Sequence, residues 1–145
     1  MMQRSDLKKG RDPMSREQER GKFPEAGSLF QDLFKSNPQP MYVYDLETLR
    51  FLAVSDAAVQ HYGYSREEFL SMNITDIRPP EEVARLIDMV SKLGLGVQRS
   101  GAWKHRRKDG SLIDVEISSH GIMFEGRKAR FVIVQDVTER RRTAE

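Results

Sequence analysis

Cysteine is absent from the 145-residue chain, which removes disulfide frames, thiolate nucleophiles and cysteine-ligated zinc or iron–sulfur centres. That absence fits a reducing compartment, so a cytoplasmic location is expected. Tryptophan occurs once, at Trp103, and histidine three times. His61, His105 and His120 fall on three separate segments with no carboxylate or second histidine at ligand spacing, so no metal site is expected. No stretch approaches the ~18 consecutive apolar residues of a membrane span, and the N-terminal "MMQRSDLKKGRDPMSREQERGKF" has no apolar core of signal-peptide length. The chain therefore reads as soluble, with no membrane segment, and not exported. Excess charge is scarce too: 24 Lys and Arg stand against 22 Asp and Glu. The basic residues gather at Arg4 to Lys22, Lys104 to Lys108 and Arg140 to Arg142, not along one helix face, so charge alone gives no argument for nucleic acid.

What is present is enough for one domain with a real core, at 38% hydrophobic residues over this length. Residues 1–26 mix both charge signs with Gly10, Pro13, Gly21 and Pro24 and read as a flexible charged tail or linker. Organisation begins at Ser28, a candidate N-cap, where Leu29, Phe30, Leu33 and Phe34 make an apolar helical stripe. "SNPQP" ends that helix. "MYVYD" and "RFLAVS" read as neighbouring strands. From Asp56 the period becomes helical, with a break at Gly63 and a capping box at Ser65 and Glu68. "NITDIRPP" reads as a short turn or helix, and "PPEEVARLIDMVSKLGLG" as a longer helix with Val83, Leu86, Ile87, Val90 and Leu93 at helical spacing. Three strand-like runs follow, "GAWKHRR", "SLIDVEISSHGIMF" and "RKARFVIVQDV", joined by the turn signals "KDG" and "EGR". Two strands, helices, then three strands describe an α+β fold, an antiparallel sheet covered on one face.

The basic run "KHRRK" is settled by hairpin register. If paired residue numbers add to an even total such as 220, Trp103 shares a face with Val115 and Ile117, while Lys104 and Arg106 face Asp114 and Glu116. An odd total buries two cations among aliphatics, which costs several kcal/mol. The even register is expected, leaving only Arg107 and Lys108 unassigned. It also points His105 inward beside Trp103 and Val115, where the plain reading is a buried, hydrogen-bonded core histidine. Asp114 and Glu116 then belong to a surface ladder, not to a paired-carboxylate catalytic site.

The succession "NPQPMYVYD", "VSDAAVQHYGYSREEF", "WKHRRKDGSLIDVEIS" and "VIVQDVTERR" resembles the PAS domain, the sensory module of bacterial signalling proteins, over about residues 27–140. The closing "DVTER" is similar to that family's Asp-X-Thr signature at the passage from sheet to output linker, here Asp136 and Thr138, and residues 141–145 are expected to start a helical output linker. The resemblance implies a five-stranded antiparallel sheet with helices inserted between strands two and three, plus an N-terminal flanking helix. It implies no catalysis within the module, which would pass its signal to an effector such as a histidine kinase or a cyclic-di-nucleotide enzyme. Aligning Asp45 with the family's first strand turns Tyr42 and Tyr44 inward. The implied pocket is then Tyr42, Tyr44, Trp103, His105, Val115, Ile117, Val132 and Val134. The covalent flavin adduct of the blue-light subclass is excluded, because Asn73 is followed by Ile74 where that chemistry needs cysteine. Haem ligation from the long helix is not expected, since "EEVARLIDMVSKL" holds no histidine. A non-covalent flavin or a small metabolite stays open.

"FVIV" is apolar on both faces although its neighbouring strand is polar outside, so something must cover Phe131 and Ile133. The expected cover is the helix of Leu29, Phe30, Leu33 and Phe34, the same surface of a second copy, or both, and a homodimer is expected. The functional reading is a sensory signal-transduction module. Its alternatives are a protein-only interaction or dimerisation adaptor and, with less support, a nucleic-acid binder using "KHRRK" and "TERRR", which lacks a recognition helix and interleaved exposed aromatics.

Overall fold

A computed structural model describes residues 32, 34–93, 96 and 98–144. The expected tail 1–26, the Ser28 cap and Leu29, Phe30 and Leu33 lie outside the described residues. Phe34 to Ser36 are helical and stop before Asn37-Pro38. Five strands follow in one antiparallel sheet: β1 Met41–Asp45, β2 Phe51–Val54, β3 Gln98–Arg106, β4 Leu112–Phe124 and β5 Arg127–Asp136. Their spatial order is β2-β1-β5-β4-β3. Between β2 and β3 stand α1 Asp56–Tyr62, α2 Arg66–Leu70, a 3₁₀ helix Ile74–Ile77 and α3 Pro80–Ser91, and α4 Thr138–Ala144 leaves β5. The α+β arrangement implied by the sequence is the arrangement found.

Local chemistry accounts for the helix boundaries. Ser55 caps α1 through its Oγ, which accepts from Ala58 N, and the same Oγ accepts from Met41 N at 3.0 Å, so one hydroxyl joins the helix start to β1. Gly63 ends α1 at φ 88°, a left-handed conformation that a Cβ disfavours. The capping box of Ser65 and Glu68 opens α2, and Asn73 with Asp76 forms a second one at the 3₁₀ helix. Arg78 precedes Pro79, and proline biases its predecessor to extended backbone, here φ −127° and ψ 146°. Of the apolar positions expected along α3, Leu86 is buried and Ile87 is 44% exposed, so the stripe is narrower than its spacing suggested.

The β3/β4 hairpin adopts the even register: Trp103 faces Val115, Lys104 faces Asp114 and His105 faces Ile113. It is displaced by two from the 220 pairing, because Arg107 N donates to Ser111 O across a tight turn with Gly110 at φ 90°. Arg106 consequently stands opposite Leu112 and not a carboxylate, while Glu116 takes Arg140 as its ion-pair partner. Arg107 and Lys108, unassigned from sequence, dock the turn on the helices. Arg107 Nη1 donates to His61 O of α1 at 3.4 Å, and Lys108 Nζ reaches Glu68 of α2 at 2.9 Å.

Two apolar layers result. The inner one, between sheet and helices, holds Tyr42, Tyr44, Phe51, Tyr62, Phe69, Leu86, Trp103 and the aliphatics of β4 and β5. The outer one holds Phe34, Met41, Val43, Ile122, Phe124 and Ala129. Both sheet edges are covered: Phe51 N donates to Met72 O beside β2, while α3 shields β3 through Glu82 Oε1, accepting from Lys104 N, and Arg85, donating to Ala102 O.

Candidate functional site

Period-two alternation puts Tyr42 and Tyr44 of β1, Trp103 and His105 of β3, Val115 and Ile117 of β4, and Val132 and Val134 of β5 on the inner face, and all eight are buried. The structure thus brings the sequence-named pocket residues into one volume. The helices add an aromatic wall: Tyr42 packs edge-on against Phe51 at 5.0 Å between centroids, Phe51 against Phe69 at 5.1 Å, and Tyr62 against Phe69 at 6.0 Å.

Inside this apolar shell lies a polar cluster. The Tyr62 hydroxyl and His105 Nδ1 share a hydrogen bond of 2.6 Å. Arg78, 3% exposed, donates from Nη1 to Ile74 O at 2.8 Å and lies 5.2 Å from the Trp103 ring centre. Arg78 Nε and His105 Nε2 are buried with no hydrogen-bond partner. Among the described residues no carboxylate lies within ion-pair distance of Arg78. Burial pushes the His105 imidazole well below its ordinary range, and the Arg78 charge adds to the effect, so the ring is neutral. Burial likewise raises the Tyr42 and Tyr62 hydroxyls, with Arg78 pulling in the opposite sense. A second buried cation, Arg130, shares the inner face and donates to Ser119 Oγ and Gly96 O. Neither arginine, nor Tyr62 as the partner of His105, was picked out from sequence. The available signal for Arg78 was the following proline, which forces an extended residue between a buried turn and α3.

At the exit from the sheet, His61 Nε2 meets Asp136 Oδ2 at 2.8 Å. Asp136 Oδ1 accepts from Thr138 N at 2.9 Å and Oγ1 at 2.6 Å, and Thr138 Oγ1 accepts from Asp114 N at 2.9 Å. Burial alone would raise the Asp136 carboxyl, but the bonds from Thr138 and His61 outweigh it and hold the group below the usual aspartate value. His61 and Tyr62 are consecutive. The last turn of α1 therefore touches the exit with one side chain and the inner cluster with the next.

On the outer face Phe34 packs on Phe131 at 6.1 Å between centroids, and His120 stands edge-on to the same ring at 5.4 Å. Phe131 and Ile133 are half-buried. Among the described residues no cluster of three or more His, Asp or Glu is set to hold a metal, and no helix is long and apolar enough to cross a membrane.

This five-stranded sheet, with helices between its second and third strands and an Asp-X-Thr exit, defines a PAS-like α+β fold. Residues 38–139 match the family model of the PAS domain, and the chain belongs to that family. The methyl sulfide methyltransferase-associated sensor of Methanosarcina acetivorans is 28% identical over 121 residues, covering 81% of this chain and 12% of that protein. The chain thus spans about an eighth of that relative's length. Among solved structures, the PAS domain of an HTR-like protein from Haloarcula marismortui superposes with a TM-score of 0.66 at 21% identity, covering 75% of this chain and 89% of that one. A PAS domain from a two-component sensor histidine kinase gives 0.61 at 23% identity, covering 74% and 93%.

Proposed function

We propose that the chain is the sensory input module of a signalling protein, receiving its stimulus in the inner core and delivering it through Asp136 and Thr138 to α4. PAS family membership and the sensor-named relative support the signalling role. The observation that carries the route is the pair of consecutive bonds at the end of α1, Tyr62 to His105 and His61 to Asp136. A displacement of His105 or Trp103 by an occupant of the pocket pulls on Tyr62, and the helix turn moves His61 with it. No residue here is assigned a catalytic role. The effector would be a separate domain, a histidine kinase or a cyclic-di-nucleotide enzyme, reached through α4 and through homodimer contacts at Phe34, Phe131 and Ile133.

Hydrogen exchange of the Tyr62→Phe variant tests the route. Removing the hydroxyl is expected to lower protection of the Thr138 and Arg141 amides, which are bonded to Asp136 Oδ1 and Val137 O. Unchanged protection at both amides in a folded variant would refute it. A protein-only input is the second reading, favoured by the half-buried Phe131 and Ile133 on the outer face. It predicts that purified protein carries no small molecule by native mass and absorbance.

A further inference from the structure

Among the described residues, the buried charge of Arg78 has no carboxylate at ion-pair distance. A guanidinium stays protonated under any biological condition, and enclosing one in apolar surroundings is costly unless an anion or a full set of acceptors offsets it. Arg78 has one backbone carbonyl, the influence of the Tyr42 hydroxyl and the face of Trp103, while its Nε–H has no partner. His105 Nε2 lacks a partner as well, and the two atoms do not satisfy one another. The Tyr62 phenol is a stronger donor than an imidazole N–H, and a neutral imidazole nitrogen is a good acceptor. The 2.6 Å bond therefore places the Tyr62 proton toward Nδ1 and leaves Nε2 carrying hydrogen. Two buried donors, one of them cationic, await an acceptor bearing one negative charge.

We infer that the stimulus is a small monocarboxylate with an apolar body, its carboxylate held by Arg78 and His105. The inference rests on the sensory reading above and names the class of ligand. Charge matching favours one carboxylate over a phosphate dianion, because Arg130, the other buried cation, already commits Nε and Nη2 to Ser119 and Gly96. The remaining surroundings, Tyr42, Phe51, Val115, Ile117, Val132 and Val134, suit a hydrocarbon or aromatic remainder and offer little to a sugar. Access has its own electrostatic mark. A groove between α3 and β3, lined by Arg85, Asp88, Met89, Lys92, Arg99 and Trp103, opens beside the indole, and three of those side chains are cationic against one acid. Arg85 lies 3.8 Å from the Trp103 ring centre and Arg78 5.2 Å, so one indole is in reach of both the charge at the groove and the charge of the site.

Trp103 is the sole tryptophan and reports on the site directly. The 145-residue chain is titrated with benzoate and with butyrate, and in parallel with the neutral isosteres benzamide and butyramide, following Trp103 fluorescence and melting temperature. At least one carboxylate is expected to give a saturable change that its amide does not. Arg78→Gln should weaken that carboxylate by roughly 10- to 100-fold, the value of a charge-assisted hydrogen bond. Equal responses to acids and amides, or no saturable response to either acid up to tens of millimolar, overturn the inference. The wild-type comparison decides the matter even if Arg78→Gln does not fold. Native mass measurement separates the two levels: a neutral or polyanionic co-purifying molecule would refute the monocarboxylate and leave the sensory reading standing, whereas carboxylate binding without any change in α4 protection would do the reverse.

Discussion

Trp103 is the one tryptophan of the chain and lies in the inner core. It is 2% exposed, lies over β4 opposite Val115 and receives two guanidiniums. Trp103→Ala should therefore cost about 3–5 kcal/mol in a denaturant titration, as aromatic truncations in a core do; a near-neutral change would contradict the packing. Lys104, one residue away, pairs with Asp114 at the surface, and Lys104→Ala should cost less than about 1 kcal/mol. His105 carries a pH consequence. Its imidazole titrates at the ordinary 6.5 when unfolded and well below that when buried beside Arg78. On acidification the unfolded chain therefore binds the proton first, and stability begins to fall as pH drops through about 6.5. His120, also lowered, acts in the same direction from the outer face. Unfolding free energies measured between pH 7.5 and 5 should show that slope, flattened in His105→Gln and partly in His120→Gln. A slope indifferent to His105→Gln would mean that the ring is not buried neutral.

Among the elements, α4 is the one most dependent on a few polar bonds. Its entry is organised by Asp136 and Thr138, and neither contributes large apolar burial. Asp136→Asn weakens an acceptor shared by Thr138 and His61, and a loss of about 0.5–2 kcal/mol, the range for a helix-capping acceptor, is expected in local opening at Arg141. Amide exchange at that residue checks it; an unchanged rate would place the hold on α4 elsewhere. Acid acts on the same link, because a carboxyl held below its unfolded value loses its stabilising effect as pH falls from the ordinary aspartate range toward the folded value. Elements of this kind were readable from sequence where capping chemistry is local: Ser65 with Glu68, Gly63, and the period-two alternation that set the hairpin face. The 3₁₀ capping box at Asn73 was covered only by the reading of a short turn or helix, since four residues are too few for a period to register. For Arg78 the following proline signalled extended backbone, but nothing local signalled burial. Charge in a sequence signals exposure, and only the three-dimensional enclosure by the 3₁₀ helix, Trp103 of β3 and Tyr42 turns this one inward.

Across the whole molecule, the outer sheet face sets the assembly expectation. Phe34 and His120 cover part of Phe131, and Ile133 opens on a groove with Gln39, Ser118 and Gln135. Two copies meeting through this face bury the same patch twice, as a two-fold axis requires. Sedimentation should give a wild-type mass twice the 16.8 kDa of the chain, and a folded monomer for the Phe131→Glu, Ile133→Glu double variant. A monomeric wild type ends the dimer reading, and a folded double variant that stays dimeric moves the contact elsewhere.

The strand order has a consequence in time. β5 is the middle strand of the sheet and the last to be synthesised, pairing with β1 on one side and β4 on the other. Until β5 is available, the β1/β2 pair and the β3/β4 hairpin have no strand joining them. Met41 waits for Ile133, and Ser118 waits for the same residue. The sheet therefore cannot close until translation has passed Asp136, and anything encoded further on emerges only as β5 takes its place between β1 and β4.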